Sequence, residues 1–408
     1  MLTGLQWRIL ALLFISSFLN YVDRSNLSVG AIDIQRELNF STYQLGVLLS
    51  AFFLTYASCQ LFMVAGWFVD RFDVRWVFGI GFFIWSSATA VTGIVHSFAV
   101  IYIMRLLLGM GESISFPSYS RILATQYPEH HRGFANALVD AGTKTGPALG
   151  TLLGGLLMAR FGWRVFFVTL GLVSLLWLIP WFRWMPRVTK ADHREQRADL
   201  VGIAEILSKR SAWFSALALF CSNYFWYFLV TWLPAYLERE RHFAKSKMAV
   251  FGSISYLAIA LATLLAGWVS DRLIARGASP TRIRKSFSGI GLSLSTIIVL
   301  VAVVRDENVA MALLFTSCIC YGIFAPNLFA MTQTMAGPRA AGKWTGFQNG
   351  FGNLAGVAAP WVTGWVVQES GNFYLAFVVA AAMALTAAAL YVFGVGPIKQ
   401  ADFRARAA

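Results

Sequence analysis

Apolar runs of about 20 residues recur along the whole chain, each long enough to cross a bilayer's hydrocarbon core as a helix. No other feature limits the fold as strongly. In lipid the backbone must satisfy its own polar groups, so runs of this length imply helices. Composition agrees: of 408 residues, 58% are hydrophobic and 13% charged, where a soluble domain carries about 25% charged residues. A net charge of +14 would point a soluble protein toward nucleic acid. In a chain this apolar it points to the anionic face of a lipid bilayer, and no nucleic-acid partner is expected.

Twelve spans are predicted, over 7–34, 43–69, 76–96, 98–125, 132–160, 163–184, 213–237, 247–270, 286–304, 309–336, 343–368 and 372–396. The expected fold is an all-α membrane protein of two six-helix halves, 1–184 and 213–408. The polar segment 185–212 is the linker, part of it expected to lie as an amphipathic helix on the membrane surface. The first run contains Asp23 and Arg24 and is too long for the core of a cleaved signal, so it reads as a span. With the N-terminus inside, 22 Lys and Arg fall on the inner side, eight on the outer side and three within the membrane. Both termini are therefore expected in the cytoplasm. Compact loops favour a bacterial inner membrane and a monomer. Asn39-Phe40-Ser41 is a glycosylation pattern that matters only in a secretory host.

A short internal repeat supports the two halves. "GWFVDR" (Gly66 to Arg71) returns as "GWVSDR" (Gly267 to Arg272), 201 residues later, each copy closing the second span of its half. Two parallel repeats place a substrate site at their interface near the midplane. The pattern Gly66-x-x-x-Asp70-Arg71-x-Asp73-x-Arg75 resembles the loop signature of the major facilitator superfamily, whose architecture the twelve spans and central linker also match. The resemblance implies that Asp70, Arg71 and Arg75, and through the repeat Asp271 and Arg272, form a conformational gate. It locks helix ends together in one state and releases them in the other.

Six ionisable residues lie inside predicted spans: Asp23, Arg24, Arg105, Glu112, Asp140 and Lys144, all in the first half. Charge at that depth is costly, faces a cavity or a partner, and reads as functional by default. Three acids and three bases could also neutralise one another and serve packing alone. Tyr21, Arg24 and Ser28 share one helical face, and Arg105 and Glu112 are two turns apart on another. Asp140 and Lys144 stand at i and i+4 and can pair directly.

"NYVDRSNLSV" (Asn20 to Val29) and "RLLLGMGE" (Arg105 to Glu112) together resemble the anion:cation symporter branch of the superfamily, which includes bacterial sugar-acid transporters and sialin. "NYFWYFLVTWLPAYL" (Asn223 to Leu237) resembles that branch's seventh helix. The resemblance implies proton coupling by Asp23 and Glu112. It implies anion binding, or control of those acids, by Arg24 and Arg105. Asp140 and Lys144 belong to no shared motif. Lys144 either holds a second anionic group of the substrate or is neutralised by Asp140.

The chemistry fits those roles. Arg offers a planar fork that binds a carboxylate through two bonds. When a substrate takes the guanidinium, the acid it leaves behind binds a proton more readily, so proton and substrate favour each other's binding. The second half offers uncharged groups suited to the hydroxyls of a polyol acid: Asn223, Tyr224, Asn327, Gln333, Gln348, Asn349 and Asn353. Such amides also serve as glue between membrane helices. Tyr56 is expected in the wall of the site. The "FFIW" stripe at Phe82 to Trp85 reads as core or lipid contact, and the histidines lie at loops or span ends.

The four cysteines sit inside spans with no metal-ligand spacing. No phosphate loop or nucleophile triad is present, so no enzyme activity, metal or cofactor is expected beyond the proton as coupling ion. These features predict a proton-coupled importer of a small organic anion, a sugar acid or related mono- or dicarboxylate. The alternatives are a proton-driven drug or metabolite antiporter of the same fold, and a non-transporting receptor. Two intramembrane arginines argue against cationic cargo.

Overall fold

The computed structural model describes residues 2–39, 42–186, 201–243 and 245–403. Among them the regular structure is helical. The first half contains α1 (Gly4–Val29), α2 (Ala31–Glu37), α3 (Thr42–Leu61), α4 (Val64–Arg71), α5 (Val74–Thr92), α6 (Phe98–Ser113), α7 (Ser115–Gln126), α8 (Glu129–Leu175) and α9 (Leu178–Trp184). The second contains α10 (Ile203–Leu207), α11 (Arg210–Arg239), α12 (Lys245–Ala275), α13 (Pro280–Ser295), α14 (Ile298–Val303), α15 (Glu307–Asn353), α16 (Ala355–Ser370) and α17 (Tyr374–Ala389), which ends in a π-helical turn, Leu390–Gly394.

Local chemistry sets the starts and breaks. Asp73 caps α5 by accepting from the Arg75 backbone N–H at 2.9 Å, and Asp306 caps α15 through Val309 N at 2.9 Å. Pro280 opens α13, where a missing N–H is harmless. Met63, at φ 56°, breaks the second span into α3 and α4, bent by 56°. Gly162 (φ 81°) and Gly337 (φ 61°) occupy the left-handed region and turn α8 and α15 back on themselves.

Nine helical stretches among the described residues are long and apolar enough to cross a membrane, or ten with the bent α3–α4 pair counted as one span. The expected twelve are therefore not recovered on length and apolarity alone, for two reasons. The stretch Glu307–Val367 contains two arms separated at Gly337. The arm of α8 before Gly162 carries Arg132, Asp140 and Lys144, which dilute its apolarity. The outer surface is apolar: Phe393 is 83% exposed and Trp361 73%. In water such a surface would aggregate; in lipid it is the solvated face.

Each half builds its own core. Phe78, Phe82, Trp85, Trp177 and Trp181 stack in the first, and Tyr236, Phe228 and Phe377 in the second. Phe82 and Trp85 of the "FFIW" stripe are fully buried, while Phe83 faces outward. Cys221, Cys318 and Cys320 are buried free thiols. Half of the expected linker, 187–200, lies outside the described residues. Past it, α10 buries Ile206, and the Lys343 ammonium donates to the Val201 carbonyl at 2.7 Å.

The chain ends share one face of the bundle. The Gln6 side chain donates to the Gln126 carbonyl, and Ala401 N to the Met335 carbonyl. This terminal face also carries both repeat signatures.

Candidate functional site

At the terminal face the two halves are tied together by a pair of equivalent contacts. Asp70, at the end of α4, accepts from Gly342 N at 3.0 Å and Lys343 N at 2.9 Å. Asp271, at the end of α12, accepts from Gly133 N at 3.0 Å and Phe134 N at 2.7 Å. In each case a carboxylate from one half meets N–H groups near the start of a helix in the other, where the helix dipole favours negative charge.

The cations around these acids differ from expectation. Arg75 donates to the Phe182 carbonyl and lies over the Phe182 ring, tying α5 to α9 within the first half rather than across the gate. Arg121 of α7 stands 3.6 Å from Asp70 and donates to the Pro338 carbonyl. Arg284 of α13 is fully buried, binds Glu129 at 2.7 Å and lies 3.9 Å from Asp271. Sequence reasoning counted Arg121 and Arg284 only as inner-side charge. Arg71 and Arg272 lie over the rings of Trp67 and Trp268, another matched pair.

Further contacts fasten the same end. Asn136 and Gln333 exchange two amide hydrogen bonds of 2.9 Å across the halves. Asn349 donates to Tyr56 Oη at 3.0 Å and Gln60 Oε1 at 2.7 Å. On the opposite face, polar contacts among the described residues stay within one half: Glu37 with Trp163 and Arg164, and Arg241 with the Val301 and Val304 carbonyls. The molecule is thus closed at the terminal face.

Above this closure lies a narrow cavity of about 60 Å³ between the halves, room for a few waters. Of the expected binding residues it is lined by Tyr21, Lys144, Asn223, Gln333, Asn349 and Asn353. Asp140 also reaches it, as do Trp226 and Tyr227, which the sequence did not single out among so many aromatics. Tyr227 donates to Asn353 Oδ1 at 2.7 Å. Tyr224, Asn327 and Gln348 are not among its lining. Tyr224 is buried in the second-half core, Asn327 accepts from Arg284 at 3.3 Å, and Gln348 accepts from Thr332.

Arg24 stands behind the cavity wall. Its guanidinium carbon lies 4.5 Å from the centre of the Tyr21 ring, 4.3 Å from Tyr56 and 5.1 Å from Phe52. Its Nε donates to Glu112 Oε2 at 2.9 Å. Its Nη2 is buried without a hydrogen-bond partner. Glu112 is fully buried, and the Arg24 side chain is 11% exposed. Arg105 shares the Phe52 ring with Arg24: its guanidinium carbon lies 5.5 Å from the ring centre. Asp23 is fully buried, accepts from Thr89 at 2.8 Å and Asn26 at 3.2 Å on Oδ1, and leaves Oδ2 without a partner. The four charges of the first and fourth predicted spans therefore form one buried cluster around Phe52.

The fifth and sixth charges form a second group, in the cavity lining. Lys144 Nζ is 3.3 Å from Asp140 Oδ1 and 3.2 Å from Thr143 Oγ1. It lies 3.9 Å from the centre of the Trp226 ring, on the other half.

The superfamily description for major facilitators matches residues 13–360. The chain belongs to the major facilitator superfamily. It is therefore a multi-pass membrane transporter and not an enzyme. It is 30% identical over 416 residues to the D-galactonate transporter of Escherichia coli O6:H1, covering 96% of each chain. It is 29% identical over 436 residues to a probable galactarate/D-glucarate transporter of Escherichia coli K12, covering 98% of this chain and 96% of that one. The fold is shared with a solved transporter, FucP in the outward conformation, at TM-score 0.75 and 15% identity, over 94% of this chain and 98% of that one.

Proposed function

We propose that this transporter is a proton-coupled symporter that imports an organic anion, a sugar acid or related mono- or dicarboxylate, across a bacterial inner membrane. The observation that carries the reading is Arg24. Its guanidinium is oriented by Tyr21 and Tyr56, gives only Nε to Glu112, and keeps a buried Nη2 free for an incoming carboxylate. Relatives named for galactonate and for galactarate and glucarate support the same substrate class.

The terminal face, where Lys and Arg concentrate, is the cytoplasmic side. With the cytoplasmic side closed, substrate enters from outside. Asp23 and Glu112 take protons from that side, and the substrate carboxylate takes Arg24, Arg105 or both. A carboxylate that has lost its guanidinium partner keeps its proton, so proton and substrate stabilise each other's binding and travel together. The half-loaded carrier leaves a buried charge unpaired, at about 3–5 kcal/mol, and this disfavours rocking with one cargo alone. Release of the Asp70 and Asp271 contacts then opens the cytoplasmic side.

The test is uptake into proteoliposomes under an imposed inward proton gradient, with labelled galactonate and galactarate, for wild type and Glu112→Gln. Wild type is expected to accumulate at least one of them. Glu112→Gln is expected to lose accumulation while retaining exchange. Uptake indifferent to both gradient and mutation would sink the coupling scheme.

A further inference from the structure

Two cations serve the cavity, Lys144 in its lining and Arg24 behind the Tyr21 ring that lines it, and the two are held differently. Arg24 is engaged through one nitrogen and backed by aromatic rings. Lys144 reaches the cavity from α8, and its ammonium touches three groups: Asp140 Oδ1, Thr143 Oγ1 and the Trp226 ring. Its contact with Asp140 is long, at 3.3 Å, for a charge-assisted hydrogen bond. Asp140 keeps Oδ2 buried and unbonded, and its side chain is 25% exposed. A pair built only to neutralise itself would close that bond and satisfy both oxygens. This one is loose, faces the cavity and sits beside an aromatic ring that would hold an ammonium after its acid moved.

We propose that Lys144 is a second anion-binding group of the central site, with Asp140 occupying it until substrate arrives, so that the carrier selects a dianion with acidic groups at both ends. One acidic group engages Arg24 and the other displaces Asp140 from Lys144. Asn223, Asn349 and Asn353, which line the same cavity, meet the hydroxyls of the intervening carbons. A monoanion leaves Lys144 on Asp140 and forgoes the second contact. Because Trp226 belongs to the other half, the group that takes Lys144 binds at the seam between the moving bodies.

This rests on the reading of the cavity as an organic-anion site, and the test separates the two. Galactonate and galactarate share a carbon skeleton and differ in one terminal carboxylate. Their competition constants are measured in proteoliposomes for wild type, Lys144→Gln, Lys144→Arg and Asp140→Asn, each checked for monodisperse elution. Wild type is expected to prefer the diacid by about tenfold or more, the value of one desolvated charge-assisted contact. Lys144→Gln is expected to bring the ratio to within about threefold of unity, and Lys144→Arg to keep the preference. Asp140→Asn is expected to tighten the diacid, because the competing carboxylate is gone. Transport of both acids without preference, an equal loss for both in Lys144→Gln, or an Asp140→Asn variant that behaves like Lys144→Gln would overturn the Lys144 assignment and leave the anion reading standing. Failure of wild type to take either acid would overturn both.

Discussion

Asp70 and Asp271, 201 residues apart, each receive two backbone N–H groups from the opposite half: Gly342 and Lys343 for the first, Gly133 and Phe134 for the second. The duplicated hexapeptide is thus one device used twice, each half gripping a helix start of the other. The grip is made on backbone, but one donor in each pair must stay glycine: a Cβ on Gly342 would lie 2.5 Å from Asp70 Oδ1, and one on Gly133 2.5 Å from Asp271 Oδ1.

Removing one acid should loosen only its own side. Asp70→Asn is expected to speed hydrogen exchange at the amides of Gly342 and Lys343, and Asp271→Asn at those of Gly133 and Phe134. Hydrogen bonds to a charged acceptor are worth about 1.5–3 kcal/mol, so about a tenfold or greater rise is expected, read by exchange mass spectrometry on the peptides around each helix start. Equal protection in wild type and mutants would show that other contacts hold the face closed.

The gate's cations separate into two kinds. Arg75→Ala removes the link from α5 to the Phe182 carbonyl and should lower the melting temperature of the detergent-solubilised protein by several degrees. Arg121→Ala removes the link from α7 to the Pro338 carbonyl beside Asp70 and should act on transport more than on melting. Thermal unfolding alongside uptake for both variants checks this. A reversed pattern would put Arg75 back in the gate.

The sequence made Asp70 and Asp271 legible because the motif repeats at half the chain's length. It made the Arg24–Glu112 cluster legible because charge inside an apolar run has few harmless explanations. Arg121 and Arg284 were hidden by their location, where positive charge is expected anyway. Arg75 fits the signature pattern but is drawn to the Phe182 carbonyl in α9, at the end of the sixth predicted span. Trp226 and Tyr227 were hidden among 15 Trp, 13 Tyr and 34 Phe, since an aromatic's identity does not say whether it meets lipid, core or cavity. The amides divided by distance from the cavity, which needs the packing of five helices, α1, α7, α8, α11 and α15, to define. Span counting failed where Gly337 joins two apolar arms and where functional charge makes the arm before Gly162 too polar.

At Arg24 the flat guanidinium, and not the charge alone, should be required. It stacks on Tyr21 and Tyr56 while giving Nε to Glu112. Arg24→Lys keeps the charge but loses the plane and the fork, and is expected to lower uptake kcat/KM by at least about 100-fold, as breaking a buried pair costs about 3–5 kcal/mol. Tyr56→Phe keeps the ring and loses only the bond from Asn349, and should cost less than tenfold. Initial rates against concentration separate these variants, and an active Arg24→Lys would remove the stacked geometry from the mechanism.

Glu37, outside the spans, carries a mild pH dependence. Its carboxylate accepts from Arg164 Nε and Trp163 Nε1, both at 2.6 Å, and the Arg164 bond holds its proton affinity below the ordinary value of 4.5. A lowered carboxylate contributes stability that is present above its unfolded value and is lost as pH falls through its folded one. The side chain is 45% exposed, so solvent screening keeps the effect below about 1 kcal/mol. Wild type should therefore melt slightly higher than Glu37→Gln at pH 7, with the gap closing as pH drops below 4.5. A gap that widens in acid would contradict the assignment.

Closure at the terminal face depends on two glycines in the duplicated motif. A Cβ on Gly66 would lie 2.5 Å from Lys343 Cα and 2.6 Å from the Gly342 carbonyl oxygen. On Gly267 it would lie 2.6 Å from Ala137 Cβ and 2.8 Å from the Gly133 carbonyl oxygen. Backbone cannot yield as a side-chain tip can, so a methyl group must push the halves apart where Asp70 and Asp271 grip. Gly66→Ala should therefore favour the carrier open at this face. A cysteine at Ser120, which is buried there against Thr345, reports the opening through its alkylation rate. The expected rise is at least about tenfold, equivalent to 1.4 kcal/mol. Gly252→Ala, where a Cβ meets nothing within 4 Å, should leave the rate unchanged. If Gly66→Ala alkylates no faster than Gly252→Ala, the close approach at Gly66 does not govern the closed state, and the grip by the two acids must hold without it.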